Sequence, residues 1–355
     1  KLVKGEDIYL TIDSRVQYKI NKVLLEGKAV YKYKGAVGIV LKINTGEVIS
    51  AVSLPSFNPN IYNNFNPTLN QITSAVFEMG SIFKSFTIAA ALNEKIINLE
   101  SNFDATNPII INKRIIEDDH PQNRYLNLEE VFVHSSNIGS ARIALNLGEK
   151  KQSYYFNQLK LDTILDTGIP EVQYPLIQEN KRDIHIATKS YGHGISVSPI
   201  NVIAALASTV NEGLYVEPLF VKDEKYFNRP KIKIFEKEVS DIMKDLYRYV
   251  VEKDGGTAKR VKSEYYIVGG KTGTANKVVD GKYHDKKVVS SFISFLPIND
   301  PKYAIFVLLD EPKATGKVLR RTAGFNAVPL TKKIILEIAP ILSEKSVNFT
   351  KRIIQ

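Results

Sequence analysis

Apolar residues recur at Val16, Ile20, Val23 and Leu24 in DSRVQYKINKVLLEG, a one-face spacing that predicts a helix capped by Asp13 or Ser14 and stopped by Gly27. The pattern then changes to dense apolar runs, AVGIVLKI and EVISAVS, on either side of Asn44, Thr45 and Gly46, which predicts a β-hairpin. Residues 54–70, LPSFNPNIYNNFNPTLN, are rich in proline and asparagine and read as a loop. Helical spacing returns in FEMGSIFKSFTIAAAL at 77–92 and in short stretches near 128–134 and 138–148. It continues in SPINVIAALASTVNEG, with Ser198 as cap, Pro199 in the first turn and Gly213 as stop, and near 239–252. Three strand-like runs follow, YYIVGGKTGTANKV, VVSSFISFL and YAIFVLLDEP, and a last helix near 329–342. Strand signals at both ends with helices between them predict an α+β fold, with one sheet built from about 30–55 and 262–345 and a helical insertion of about 75–255.

Composition narrows the function classes. At 355 residues and 44% apolar, the chain can bury a sizeable core as one large domain or two smaller ones. The net charge of +10 is scattered along the sequence and forms no stripe, which argues against nucleic acid as a partner and leaves an anionic surface or polymer open. With no cysteine there is no disulfide framework and no thiolate metal site, and the five histidines, at 120, 134, 185, 193 and 284, lack ligand spacing. No metal and no cofactor is expected. No apolar run approaches the roughly 18 residues of a membrane span. The sequence starts at KLVKGEDIYL, with neither an initiator Met nor a signal-like segment, which reads as a piece of a longer protein.

Candidate chemistry begins at Ser81. Lys84 stands three places on, so a helix puts both on one face. A serine hydroxyl needs a base to become a nucleophile, and a lysine serves only when its amine is neutral. Burial against Phe83 and Phe86 and a second nearby cation would push it that way. The plainer alternative makes Ser81 a helix cap and leaves Lys84 in solvent. A second element is Ser135-x-Asn137, at a junction between two predicted helices; SFN at 56–58 and SVN at 346–348 match the same pattern in a loop and a tail. The third is GGKTGTA, in which Lys271, Thr272, Gly273 and Thr274 would line a site along an edge strand, the glycine letting ligand backbone approach. The rival is a phosphate-cradling loop, against which stand the unmet GxxxxGK[ST] pattern and the absence of a predicted helix after the lysine.

Ser-x-x-Lys, Ser-x-Asn and Lys-Thr-Gly in this order resemble the penicillin-binding protein and serine β-lactamase superfamily. TIDSRVQ, SSNIGSARIAL, YGHGISVSPINVIAALASTVNEG, GGTAKR and VSSFISFLPINDPKYAIFVLLDEPK make the chain most similar to class B penicillin-binding proteins of the division type, over nearly its whole length. It departs at Met79 and Ser85, where family members usually or often carry proline. The resemblance implies an antiparallel sheet flanked by helices with a helical subdomain, the whole of 1–355 being the transpeptidase domain. It implies a D,D-transpeptidase that cross-links peptidoglycan stem peptides and is acylated by β-lactam antibiotics. Ser81 would attack the penultimate D-alanine and Lys84 would take its proton. Ser135 would pass a proton towards the leaving amine, and Asn137 would hold the donor peptide and the lysine. Lys271 would add positive potential, Thr272 and Thr274 would receive the donor carboxylate, and the Ser81 and Thr274 N–H groups would form the oxyanion hole. It further implies a place on the periplasmic face of the cytoplasmic membrane, an anchor and pedestal outside this chain, and a lipid-linked glycan polymerase and other division proteins as partners. A β-lactamase or β-lactam sensor uses the same groups but differs in admitting water to the acyl-enzyme, and a silent scaffold would lose one of the motifs.

Overall fold

The computed structural model describes residues 5, 7–58, 60, 68–179, 182–316 and 318–343. The SVN tripeptide at 346–348, the end of the expected sheet region at 344–345 and part of the Pro/Asn loop, residues 59 and 61–67, lie outside them.

The central sheet takes strands from both ends of the sequence. Strands β1 (Gly35–Lys42), β2 (Val48–Leu54), β3 (Gly269–Val279), β4 (Lys282–Leu296) and β5 (Tyr303–Asp310) stand in the order β3-β4-β5-β1-β2. Every neighbouring pair is antiparallel. β5 is buried at each position, which explains why its sequence reads as an unbroken apolar run and not as an alternation.

Helix α1 (Ser14–Tyr31) starts at Asp13, whose side chain accepts the Arg15 N–H at 2.9 Å. It does not stop at Gly27. A Cβ there would sit 2.9 Å from the Leu330 Cδ1 atom, so the glycine is a contact point between two helices and not a terminator. The partner is α7 (Ala327–Ser343), which packs on α1 and on β4 and β5. Between the two parts of the sheet lie α2 (Lys84–Asn93), α3 (Leu128–Val133), α4 (Asn137–Leu147), α5 (Pro199–Ser208) and α6 (Lys237–Glu252). α5 ends at Ser208, and Gly213 follows with φ +76, where a Cβ would collide with the Phe235 carbonyl. α5 rests on β1 and β5, and α6 on β3, so the insertion is seated on the sheet edge that carries Lys271. Among the described residues no helix is long and apolar enough to cross a membrane.

Candidate active site

Three backbone devices bring the site together. The segment before Ser81 is held extended by Phe77, which exchanges backbone hydrogen bonds with Val197. At Gly80, φ is +58 and a Cβ would lie 2.4 Å from the Thr274 carbonyl oxygen, so only glycine lets this turn lie against β3. The chain then passes through a 3₁₀ turn, Gly80–Phe83, into α2. No side chain caps that turn, so Ser81 is not a helix cap.

The Ser81 hydroxyl instead meets Lys84, with Nζ at 2.7 Å from Oγ. Lys84 is fully buried, which rules out the solvated lysine of the plainer reading. Its amine has two further partners at 2.7 Å, the Ser135 carbonyl oxygen and Asn137 Oδ1. Asn137 is oriented by its own Nδ2, which donates to the Glu117 carbonyl at 2.9 Å, so the oxygen faces the lysine. Both partners are acceptors only. A neutral amine has two N–H bonds and one lone pair; these two oxygens take the N–H bonds, and the lone pair is left for Ser81. Burial pushes Lys84 down to about 7, against the opposing pull of the Asp118 and Asp119 carboxylates.

Ser135 stands between α3 and α4 with φ +62, a conformation rarely taken by a side-chain-bearing residue. There its Oγ lies 3.2 Å from Lys84 Nζ and accepts from Lys271 Nζ at 2.8 Å. Asp118 secures the junction. Its Oδ2 accepts from the Ser136 hydroxyl at 2.7 Å, and its Oδ1 from the Asn137 and Ile138 N–H groups at 2.5 and 3.0 Å, where an anion also suits the start of α4.

On β3, Lys271 is fully buried with its ammonium end 5.5 Å from the centre of the Phe132 ring. Burial holds it well below its ordinary value, and the charge of Lys84 pushes the same way. Thr272 pairs with the Thr257 hydroxyl at 2.7 Å, and Thr274 Oγ1 accepts the Ala323 N–H at 3.2 Å, which leaves the Thr274 O–H free to donate. Gly273 has a different reason from the one expected: a Cβ would sit 2.2 Å from the Met79 carbonyl oxygen, so its space belongs to the nucleophile turn and not to a ligand.

Ser81, Lys84, Ser135, Asn137 and Lys271 thus form one hydrogen-bonded cluster, with Thr272, Gly273 and Thr274 along the adjoining strand. Sequence reasoning missed Asp118, and it missed a wall made of Glu78, Tyr191, His193 and Tyr283. Gly192 brings that wall in, because a Cβ on it would be 2.3 Å from the Gly80 carbonyl oxygen. His193 stacks on Tyr283 with ring centres 5.3 Å apart, and burial, followed by the charge of Lys84, pushes it down to about 4. The available signal was YGHG, a histidine held between two glycines, both with positive φ.

Comparison with known proteins gives the family and the fold. Residues 36–336 match the family model described as the penicillin binding protein transpeptidase domain. The chain is 33% identical to a probable peptidoglycan D,D-transpeptidase FtsI of Caulobacter vibrioides, over 96% of this chain and 60% of that protein. It is 31% identical to the stage V sporulation protein D of Bacillus subtilis, over 96% of this chain and 54% of that one. It therefore spans just over half the length of these curated relatives. The apo structure of the TP domain from Burkholderia pseudomallei penicillin-binding protein 3 superposes with a TM-score of 0.83 at 27% identity, covering 96% of this chain and 98% of that domain.

Proposed function

The chain belongs to the penicillin-binding protein transpeptidase domain family, and from that premise we propose that it is the catalytic part of a peptidoglycan D,D-transpeptidase. The observation that carries this reading is the Lys84 amine, 2.7 Å from Ser81 Oγ with its N–H directions taken by two acceptor-only oxygens. Ser81 Oγ attacks the carbonyl of the penultimate D-alanine and its proton passes to Lys84. The amide C–N bond breaks as a proton reaches the leaving D-alanine amine through Ser135, whose Oγ touches both lysines. The negative oxygen of the tetrahedral intermediate meets the N–H groups of Ser81 and Thr274, which the missing side chain of Gly80 allows to approach; one such donor contributes about 2.7–4 kcal/mol. Lys271, Thr272 and Thr274 take the donor carboxylate. An amine of a second stem peptide then resolves the ester.

Its substrate lies outside the cytoplasmic membrane, so the protein acts on that face, held by a segment beyond this chain. A lipid-linked glycan polymerase and other division proteins are its partners. The test is intact-protein mass spectrometry after incubation with a penicillin, whose strained amide and carboxylate imitate the donor. One adduct per chain on the Ser81 peptide, persisting for many minutes and absent in Ser81→Ala, is expected. Rapid loss of the adduct with hydrolysed drug in solution would make the protein a β-lactamase, and no adduct in the wild type would make it a scaffold.

A further inference from the structure

Three residues before Ser81, the Glu78 carboxylate uses only one of its oxygens. Oε1 accepts the Gly194 N–H at 2.7 Å and the Tyr283 hydroxyl at 3.2 Å. Oε2 is buried and takes no hydrogen bond, and no cation pairs with Glu78 among the described residues. A buried carboxylate oxygen without a donor is costly, by about 1–3 kcal/mol or more for a charged group. Burial pushes the carboxyl up, and the two donors on Oε1 push back. The surroundings suit a cation. Tyr283 and His193 present stacked aromatic rings beside it, and His193 lies close enough to Lys84 to be affected by its charge. The longer contact comes from Tyr283, 46% exposed near the tip of the β3–β4 hairpin, so an arriving group has a side chain to displace.

The amine that resolves the ester arrives as an ammonium, and Glu78 offers it a carboxylate oxygen that has no donor. Building on the transpeptidase reading, we propose that Glu78, walled by Tyr283 and His193, is the subsite that recognises the cationic amine of the acceptor peptide. The bound ammonium releases one proton to solvent, its lone pair attacks the ester carbon, the carbon–Oγ bond of acyl-Ser81 breaks, and the second nitrogen proton returns through Lys84 to Oγ.

The experiment loads the wild type, Glu78→Gln, Glu78→Asp and Asp119→Asn with an N-acyl-D-alanyl thioester at pH 7.5. Each then receives Nα-acetyl-lysinamide, a cation, or hydroxylamine, which is neutral. The ratio of transfer to the cation over transfer to hydroxylamine should fall about tenfold in Glu78→Gln, the size of one charge-assisted hydrogen bond, and recover in part in Glu78→Asp. Titration to one penicillin per chain reports that each variant is folded. An unchanged ratio in Glu78→Gln overturns the assignment, as does a fall confined to Asp119→Asn, an exposed carboxylate whose charge also reaches Lys84 and His193. Wild-type protein that forms no acyl-enzyme defeats the transpeptidase reading itself and the acceptor site with it.

Discussion

Lys84, at the start of α2, and Lys271, on the edge strand β3, are both fully buried and both touch Ser135 Oγ, yet their surroundings differ. Lys84 has three oxygens at 2.7 Å and two carboxylates that favour its charge. Lys271 has the Ser135 hydroxyl at 2.8 Å, a backbone oxygen at 3.5 Å and an aromatic ring. Equal burial therefore leads to unequal chemistry. The first amine is surrounded by acceptors that fix its lone pair on one hydroxyl, and it stays near the neutral range where it can exchange a proton. The second has no carboxylate among its contacts, is held well below its ordinary value by burial and by Lys84, and has one short hydrogen bond, to Ser135.

The difference is broken most sharply at Lys84. A guanidinium remains protonated and cannot accept the Ser81 proton, so Lys84→Arg should lose acylation by about a thousandfold, nearly as much as Lys84→Ala. Stopped-flow acylation with a fluorescent penicillin checks it. A rate within tenfold of wild type would remove Lys84 from the role of base.

The two lysine regions are also mechanically joined, since Gly273, two residues beyond Lys271, lies against the Met79 carbonyl, Ser291 and Ile82 with no room for a Cβ. Gly273→Ala should cost about 1–3 kcal/mol by overpacking, seen as a lower urea midpoint, and it should slow acylation by moving the Gly80 turn away from Thr274. Lost stability with an unchanged acylation rate would uncouple the strand from the nucleophile.

Lys271→Arg is the gentler counterpart of Lys84→Arg. An N–H donor to Ser135 survives and only the fit beside Phe132 is disturbed, so about a tenfold loss of acylation is expected. Equal losses for the two arginine variants would erase the distinction drawn from their contacts.

What could be read in advance depended on how local each feature is. Ser81 and Lys84 are neighbours through helix geometry alone, and the Lys-Thr-Gly run lies on a strand whose apolar pattern announces itself. Ser135 and Asn137 needed only a helix junction. Asp118 and Glu78 carry no such signature: one is an acid in a polar stretch and the other an acid in an apolar one, and the role of each arises when residues 136–138 or 194 and 283 fold against it. Strand β4 shows the same limit. Its apolar part, VVSSFISFL, reads as a strand, whereas KYHDKK before it gives no strand signal because that part of the hairpin extends past the core with mostly exposed side chains. Glycines misled twice. Gly27 and Gly273 were read for backbone freedom and ligand access, and both in fact make room for a neighbouring element.

The smallest effect tests the electrostatic side of the same comparison. Asp118 favours the charge on Lys84, whereas Lys271 is shifted by its burial and by Lys84. Lys84 is competent when neutral, so acylation should climb with pH through a midpoint near 7. Removing the negative charge makes the protonated amine less favourable, which lowers the lysine further and moves that midpoint to lower pH. Asp118→Asn keeps an oxygen for the Asn137 and Ile138 N–H groups and an amide for the Ser136 hydroxyl, so the junction is preserved while the charge is lost. At pH 6, with each protein scaled to its own plateau, the variant should acylate about threefold faster than wild type. A midpoint that stays in place, or rises, would mean that Asp118 acts on the site only as a clamp and that the pH dependence of Ser81 belongs to another group.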